Sequence, residues 1–336
     1  MKWLVTGGAG FIGSAFVRLA LGENWADRII NLDKLTYAGN LENLAAVERD
    51  PRHRFVHGDI CDTPLVRSLL EEERPDAIIH FAAESHVDRS ILGPEAFIET
   101  NVRGTFSLLE AARSAGTPRF LHVSTDEVYG SIPEPLEADE TWPLRPSSPY
   151  SASKAGSDLL ALSYWTTFRL PVIVTRASNN YGPFQFPEKL IPLMISNALE
   201  EKPLPIYGDG MQVRDWLYVD DHCRAIRAAL EKGAPGEVYN IGGARALPNR
   251  RVVELILDAL GKPRSLMKEV ADRPGHDRRY AITTEKLEKA TGWRPQVGFE
   301  EGLDRTIRWY RENAGWVARV KSGEYQRYYE QNYANR

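Results

Sequence analysis

Residues 2–13 read Lys2-Trp3-Leu4-Val5-Thr6-Gly7-Gly8-Ala9-Gly10-Phe11-Ile12-Gly13, a β-rich run that breaks into glycines and then opens a helical pattern. The glycines satisfy Gly-x-Gly-x-x-Gly spacing at 8, 10 and 13, and Gly-x-x-Gly-x-x-Gly spacing at 7, 10 and 13. Between a strand and a helix, such spacing permits a tight turn, close approach of backbone to a pyrophosphate, and close helix–strand packing. The helix N-terminus adds N–H groups that face the anion. Asp33 closes the next strand candidate, 20 residues beyond Gly13. A carboxylate there hydrogen-bonds a ribose 2′-hydroxyl and repels a 2′-phosphate. The stretch predicts a dinucleotide site for NAD in preference to NADP, with Lys34 softening the repulsion.

Working outward, short β-rich runs alternate with helical patterns. The strand candidates are 3–6, 28–33, 54–57, 77–81, 119–124 and 172–176; the helical ones are 12–21, 64–73, 96–115 and 150–169. All-apolar runs suit strands buried on both faces, and the alternation argues for a parallel sheet with crossover helices. Thr63 before Pro64 reads as an N-cap with proline at the first helical position. After about residue 182, Pro183, Pro187, Pro192, Pro203 and Pro205 change the texture, with a helix only at 190–200. A helix at 219–232, a strand at 238–241 and an amphipathic stretch at 299–313 follow. The expected fold class is α/β: a Rossmann-type doubly wound parallel sheet with a smaller, partly interleaved C-terminal α/β substrate domain. The expected division is 1–182 for the cofactor domain, with a return near 215–242, and 183–336 for the substrate domain.

The 336 residues carry 43% hydrophobic and 26% charged residues, an ordinary globular balance. A net charge of -4 gives no electrostatic footprint for nucleic acid, so an anionic ligand must meet locally placed Arg and Lys. The two cysteines, Cys61 and Cys223, have no metal-ligand spacing, and no His/Cys/carboxylate cluster predicts a metal. No apolar stretch approaches the roughly 18 residues of a membrane span, and the N-terminus enters a strand without a leader pattern. A cytoplasmic protein is expected.

Tyr150 and Lys154, four residues apart at the start of a helix, project from one face. A lysine ammonium about 4 Å from a phenol, at an effective dielectric near 20, is worth roughly 4 kcal/mol, or about 3 pKa units. That is enough to bring the phenol towards neutrality as a general base. Ser124-Thr125-Asp126-Glu127 ends the fifth strand candidate, where open α/β sheets place their ligands. A hydroxyl, a tyrosine and a lysine beside a nicotinamide make a hydride-transfer site.

Gly7–Gly13, Thr125, Tyr150 and Lys154 resemble the extended short-chain dehydrogenase/reductase superfamily. The finer resemblance is to its dTDP-glucose 4,6-dehydratases. It rests on blocks 32–40 (LDKLTYAGN), 80–90 (HFAAESHVDRS), 124–130 (STDEVYG), 178–183 (SNNYGP), 187–190 (PEKL) and 272–276 (DRPGH), which span most of the chain. The mapped positions show no departure. The resemblance implies oxidation at C4 of a nucleotide-bound hexose, elimination of water across C5 and C6, and hydride return to C6. It implies Asp126 as acid and Glu127 as base, an order that sequence alone leaves open. Adjacent carbons need acid and base close together, which paired carboxyls at a strand end supply.

By the same carry-over, Gly7, Gly10, Phe11, Ile12, Gly13, Asp33, Lys34, Leu35, Thr36, Asp59 and Ile60 touch NAD, as do Phe81, Ala82, Ala83, Ser85, Thr100, Tyr150, Lys154 and Asn180. Ser85, Thr125, Asn179, Lys189, Leu190, Pro205, Ile206 and Tyr207 touch substrate. Arg214 and Asn249 meet the diphosphate region, while Asp272, Arg273, His276 and Tyr280 lie towards the nucleoside. A bidentate guanidinium suits phosphate oxygens. The alternatives are a UDP- or GDP-sugar dehydratase, a 4-epimerase of the same superfamily, and a non-catalytic NAD-binding sensor. A sensor needs no proton-transfer groups and an epimerase has no use for the acid pair. Helices 96–115 and 150–169 carry Phe97, Val102, Phe106, Leu108, Leu109, Leu159, Leu160, Leu162 and Trp165 on more than one face, which predicts a homodimer.

Overall fold

The computed structural model describes residues 1–116, 119–243 and 245–321; positions 322–336 of the expected substrate domain lie outside the described residues. In chain order the first half runs β1 (Lys2–Thr6), α1 (Phe11–Gly22), β2 (Arg28–Asp33), β3 (His53–His57), α2 (Thr63–Glu73), β4 (Ala77–His80) and α3 (Val87–Leu92). It continues through α4 (Glu95–Phe97), α5 (Thr105–Ala115), β5 (Arg119–Thr125), α6 (Pro149–Phe168) and β6 (Val172–Ala177). The second half adds β7 (Asn179–Tyr181), α7 (Leu190–Leu199), β8 (Leu204–Tyr207), β9 (Val213–Tyr218), α8 (Val219–Lys232) and β10 (Val238–Ile241). It ends with β11 (Ala246–Pro248), α9 (Asn249–Leu260), β12 (Met267–Val270), α10 (Glu285–Thr291), α11 (Phe299–Glu312) and α12 (Ala314–Val320).

Seven strands form one sheet in the order β10-β6-β5-β4-β1-β2-β3. Every pairing in it is parallel, with Leu4 opposite Ile30 on one side and Ile78 on the other. Its middle strands are buried almost along their length, as their mainly apolar sequences suit. Strand order reverses between β1 and β4, which opens a crevice at their carboxyl ends. The expected doubly wound sheet is present. Helix α8 packs against α1 and leads into β10, so the chain returns to this sheet after leaving it.

A second core gathers Tyr181, Ile195, Trp216, Ile256, Leu303, Ile307 and Tyr310 from β7, β9, α7, α9 and α11. Two small sheets, β11-β9-β7 and β12-β8, accompany it. Strands β8 and β12 lie in stretches read as irregular; β8 holds Pro205 because its ladder partner is a single short strand on one side.

Two local readings are corrected. The cap of α2 is Asp62, whose carboxylate accepts from the Leu65 amide over 3.1 Å; Thr63 is already helical and its hydroxyl pairs with Ser107 at 2.8 Å. The helix expected over 96–115 is α4 and α5 joined by a π-helical segment, Ile98–Gly104. There Gly104 lies so close to Ile60 that a Cβ would stand 2.5 Å from its Cδ1. The wider turn also frees Asn101 to bond Glu84 N and O, each at 2.9 Å, and Ser153 Oγ at 2.8 Å.

Helix α6 begins with a capping box: Ser148 Oγ accepts from Ser151 N over 3.1 Å, and Ser151 Oγ accepts from Ser148 N over 3.0 Å. Pro149 at the first position fixes the entry. Beneath this helix lies a buried polar layer. Arg176 Nε donates to Asp158 over 2.9 Å, His122 faces Asp158 at 3.3 Å, and Tyr129 bonds both Arg176 and Asn240.

Burial holds four histidines neutral: His122 and His86 are pushed down to about 4, His222 to about 3, and His80 well below its ordinary value. Their folded values lie below the unfolded one near 6.5, so the unfolded chain binds more protons between pH about 6.5 and 4. Stability from these groups is therefore present above pH 6.5 and is lost as pH falls through that window. Each contributes at most about 1.4 kcal/mol per pH unit. Denaturant unfolding of His122→Gln from pH 7 to 4 should show a shallower fall than wild type by up to that slope; an unchanged slope refutes the assignment.

Candidate active site

The glycine loop leaves β1 at Gly7, whose φ of 73° lies in the left-handed region. A Cβ at Gly7 would stand 2.6 Å from Ala82 N, and one at Gly13 would stand 2.2 Å from Gly7 O. These contacts draw the loop against the segment after β4. No side chain caps α1, so its first-turn amides remain turned to the crevice. Asp33 ends β2 with Oδ2 accepting from Ala9 N and Oδ1 from Leu35 N, both at 2.8 Å. The carboxylate thus braces the loop as well as facing the cleft. Burial raises its pKa, against the backbone hydrogen bonds. Lys34 is held by Asp59 at 2.7 Å. The open amides, the crowded glycines and the terminal carboxylate together fit a dinucleotide.

The cleft continues past the carboxyl end of β5. Thr125 Oγ1 accepts from Glu127 N over 3.2 Å, so the strand's last hydroxyl starts the short 3₁₀ turn Asp126–Tyr129 and aims both carboxyls. The Tyr150 phenol lines the same cleft beside the Thr125 hydroxyl. Lys154, one turn along α6, donates from Nζ to Val123 O over 2.8 Å. Thr125, Asp126, Tyr150 and Lys154 are all buried, and Glu127 is partly so.

Burial dominates the electrostatics. It lowers Lys154 to about 8, with Asp158 opposing. It raises the Tyr150 phenol, and Glu127 raises it further. The expectation of a phenol near neutrality is corrected here. The charge argument counted one ammonium, but not the water a phenolate loses or the two carboxyls beside it. Asp126 is pushed well above the carboxylate range by burial and then by Glu127 and Asp215. Glu127 is raised by burial, but Arg273, Lys189 and Arg214 pull it back.

The cleft is lined by the sequence-read residues from Gly7 to Leu190 with one exception: Leu35 turns away in a left-handed conformation (φ 55°) and contributes its backbone to Asp33. The second-half residues gather next to that cleft instead. Tyr207 and Arg273 both bond Asp88, at 2.8 and 3.1 Å, and His276 bonds Asp272 at 2.6 Å. The Arg214 guanidinium lies 4.1 Å from the Tyr280 ring centroid. Asn249 Oδ1 and Arg273 Nε are buried without a partner among the described residues, as donors and acceptors awaiting a polar ligand would be. Ile206 packs into the second core, and Pro205 sits in the β8–β12 ladder.

Sequence reasoning missed His222, Gln185 and Trp216 in the lining, and Asp158 behind Lys154. Asp158 stands four residues after Lys154, a signal that was available. His222 carried none, because only the packing of α8 brings it to Asn180, at 2.9 Å. Among the described residues no group of three or more His, Cys, Asp or Glu could hold a metal ion.

Comparison with known proteins agrees with this geometry. Residues 4–306 match the family model described as GDP-mannose 4,6 dehydratase. The dTDP-glucose 4,6-dehydratase 1 of Escherichia coli (strain K12) is 54% identical, with 100% of both chains covered. The crystal structure of DesIV, a dTDP-glucose 4,6-dehydratase from Streptomyces venezuelae with NAD bound, is 56% identical with a TM-score of 0.94, covering 96% of this chain and 100% of that one. UDP-glucose 4-epimerase of Thermus thermophilus is 35% identical with a TM-score of 0.86, covering 93% of this chain and 100% of that one. Fold and site define an extended short-chain dehydrogenase/reductase of the nucleotide-sugar 4,6-dehydratase class. Within it, the chain belongs to the dTDP-glucose 4,6-dehydratase family.

The like charge of Glu127 stands second to burial in raising Asp126. In Glu127→Gln, the Asp126 carboxyl should titrate at lower pH than in wild type, read from its C=O infrared band. An unmoved titration would show that the two carboxyls do not sense one another.

Proposed function

We propose that this protein converts dTDP-glucose to its 4-keto-6-deoxy product by dehydration, with NAD restored in each turnover. The observation that carries the reading is the unequal carboxyl pair beside Thr125 and Tyr150: burial and the like charges of Glu127 and Asp215 raise Asp126 well above the carboxylate range, while three cations oppose the rise of Glu127. Two acids with separated environments are the requirement for simultaneous acid and base work.

NAD, held by the glycine loop and Asp33, supplies a hydride acceptor at C4 of the sugar and a hydride donor at C6. Tyr150 is placed beside Thr125 to take the C4 hydroxyl proton; burial raises its phenol, and the positive charge that oxidised nicotinamide would bring opposes that rise. Lys154 brings positive charge along the same helix face, and its ammonium is fixed by Val123 O. A C4 ketone acidifies the C5 proton, which Glu127 removes. Asp126 gives its proton to the departing C6 hydroxyl. Arg214, Asn249 and Arg273 bind the diphosphate and nucleoside end, where buried polar atoms await partners. A 4-epimerase reading is weaker, because it leaves the acid pair without work.

The protein acts as a homodimer in the cytoplasm. Phe106 and Leu159 are 48% and 59% exposed on α5 and α6, and Ile98 is 54% exposed on the preceding turn. Phe97, Leu108 and Leu109 instead belong to the interior. The exposed set suits helix pairing across a two-fold axis. Cys61 and Cys223 are unpaired thiols, which suit a reducing compartment. Light scattering at micromolar concentration should give twice 37.9 kDa, and Phe106→Asp/Leu159→Asp should give the monomer. A wild-type monomer refutes the dimer.

Incubation with dTDP-glucose, UDP-glucose and GDP-mannose should yield a product lighter by one water from dTDP-glucose. Tyr150→Phe should block the first oxidation. Asp126→Asn and Glu127→Gln should permit it and stall, with near-ultraviolet absorbance of reduced dinucleotide and turnover slowed by roughly 10²–10⁴-fold. Turnover in heavy water should place deuterium at C5. Full dehydratase activity in Glu127→Gln, or no deuterium at C5, would return the protein to the epimerase reading.

A further inference from the structure

One cross-link over the cleft has no part in this chemistry. The order β6-β5-β4-β1-β2 sets the carboxyl ends of β2 and β6 four strand spacings apart, about 19 Å. The segment after β2 and the segment after β7 nevertheless meet. Tyr37 donates from its hydroxyl to Glu188 Oε1 over 3.0 Å, and its ring meets Phe186 edge to face with centroids 5.6 Å apart. Arg89, on α3 beyond β4, stands between them. Its Nε donates to Glu188 Oε2 over 3.1 Å, and its guanidinium lies 3.7 Å from the Tyr37 ring centroid.

Loops from three strands thus converge on one carboxylate, whose side chain is 2% exposed. To join β2's loop to that of β7, the contact must cross the carboxyl ends of β1 and β4, where strand order reverses and the cleft lies. Gly39 and Glu188, on opposite sides of this crossing, both line that cleft. Neighbouring bonds reinforce it: Lys189 Nζ donates to Ser85 O over 2.6 Å, and His86 meets Glu188 O at 3.3 Å.

We propose that Tyr37, Arg89 and Glu188 form a clasp that retains the dinucleotide between turnovers, a proposal that rests on the NAD reading above. A reaction that returns its cofactor to the starting oxidation state has no need to release it. A strap across the crevice makes release depend on separating a buried carboxylate from two donors at once.

The test uses full-length protein loaded with NAD and chased with isotope-labelled NAD, the bound label being followed by mass spectrometry. Tyr37→Phe removes one donor and keeps the ring against Arg89 and Phe186. It should exchange NAD at least about tenfold faster than wild type, as loss of a hydrogen bond to a charged group predicts. Its kcat at saturating NAD should match wild type, which separates loss of retention from loss of the active fold. Glu188→Gln should exchange faster still. Wild-type exchange rates in both variants overturn the clasp and leave NAD binding standing. Wild-type protein that holds no NAD after loading overturns the clasp and the cofactor reading together.

Discussion

Charge held without water at the carboxyl edge of a parallel sheet is the constraint on which the rest of the site depends. Burial is the largest influence on Asp126, Glu127, Tyr150 and Lys154 alike, and its sign follows the group: acids are pushed up and the lysine down. A polar group in such a place must be paired or lose its charge. The neighbouring groups therefore decide which of two adjacent carboxyls keeps its proton. Glu127 faces Arg273, Lys189 and Arg214 against Asp277, while Asp126 faces Glu127 and Asp215 with Arg214 and the Thr125 hydroxyl opposing.

The same constraint reaches below the site. Asp158 and Arg176 are both buried, and neither could be kept there alone. Their pairing supplies the negative charge that opposes desolvation of Lys154. Helix α6 is the ruler for this arrangement. Its capping box and Pro149 fix where the first turn begins, and the four-residue steps from Tyr150 to Lys154 to Asp158 follow. The π-helical segment at 98–104 completes it by bracing Ser153 and Glu84 through Asn101.

The second half of the chain contributes by crossing back. Its own core anchors β9 and α11. From there Arg214 and Arg273 reach the carboxyl pair, and Asp88 on α3 receives Arg273 and Tyr207. The first sheet thus provides the floor and the acid–base groups, while the later segments provide the cations that set their charge.

The parallel sheet, the glycine loop, Asp33 and the Tyr150–Lys154 spacing were legible in the sequence, because each follows from local rules: apolar runs, glycine spacing and helical period. The carboxyl pair was visible as a pair, and its long neighbouring blocks pointed to one family. Tertiary structure alone decided what those groups are. The phenol is raised where the sequence predicted it lowered, since desolvation depends on everything packed around a group and not on its partner four residues away. Asp126 and Glu127 are adjacent in sequence and differ in burial and through residues some 60 to 150 positions away, such as Lys189 and Arg273. His222 at Asn180, and Glu188 joining Tyr37 to Arg89, come from loops and helices folded over the sheet, beyond the reach of any local pattern.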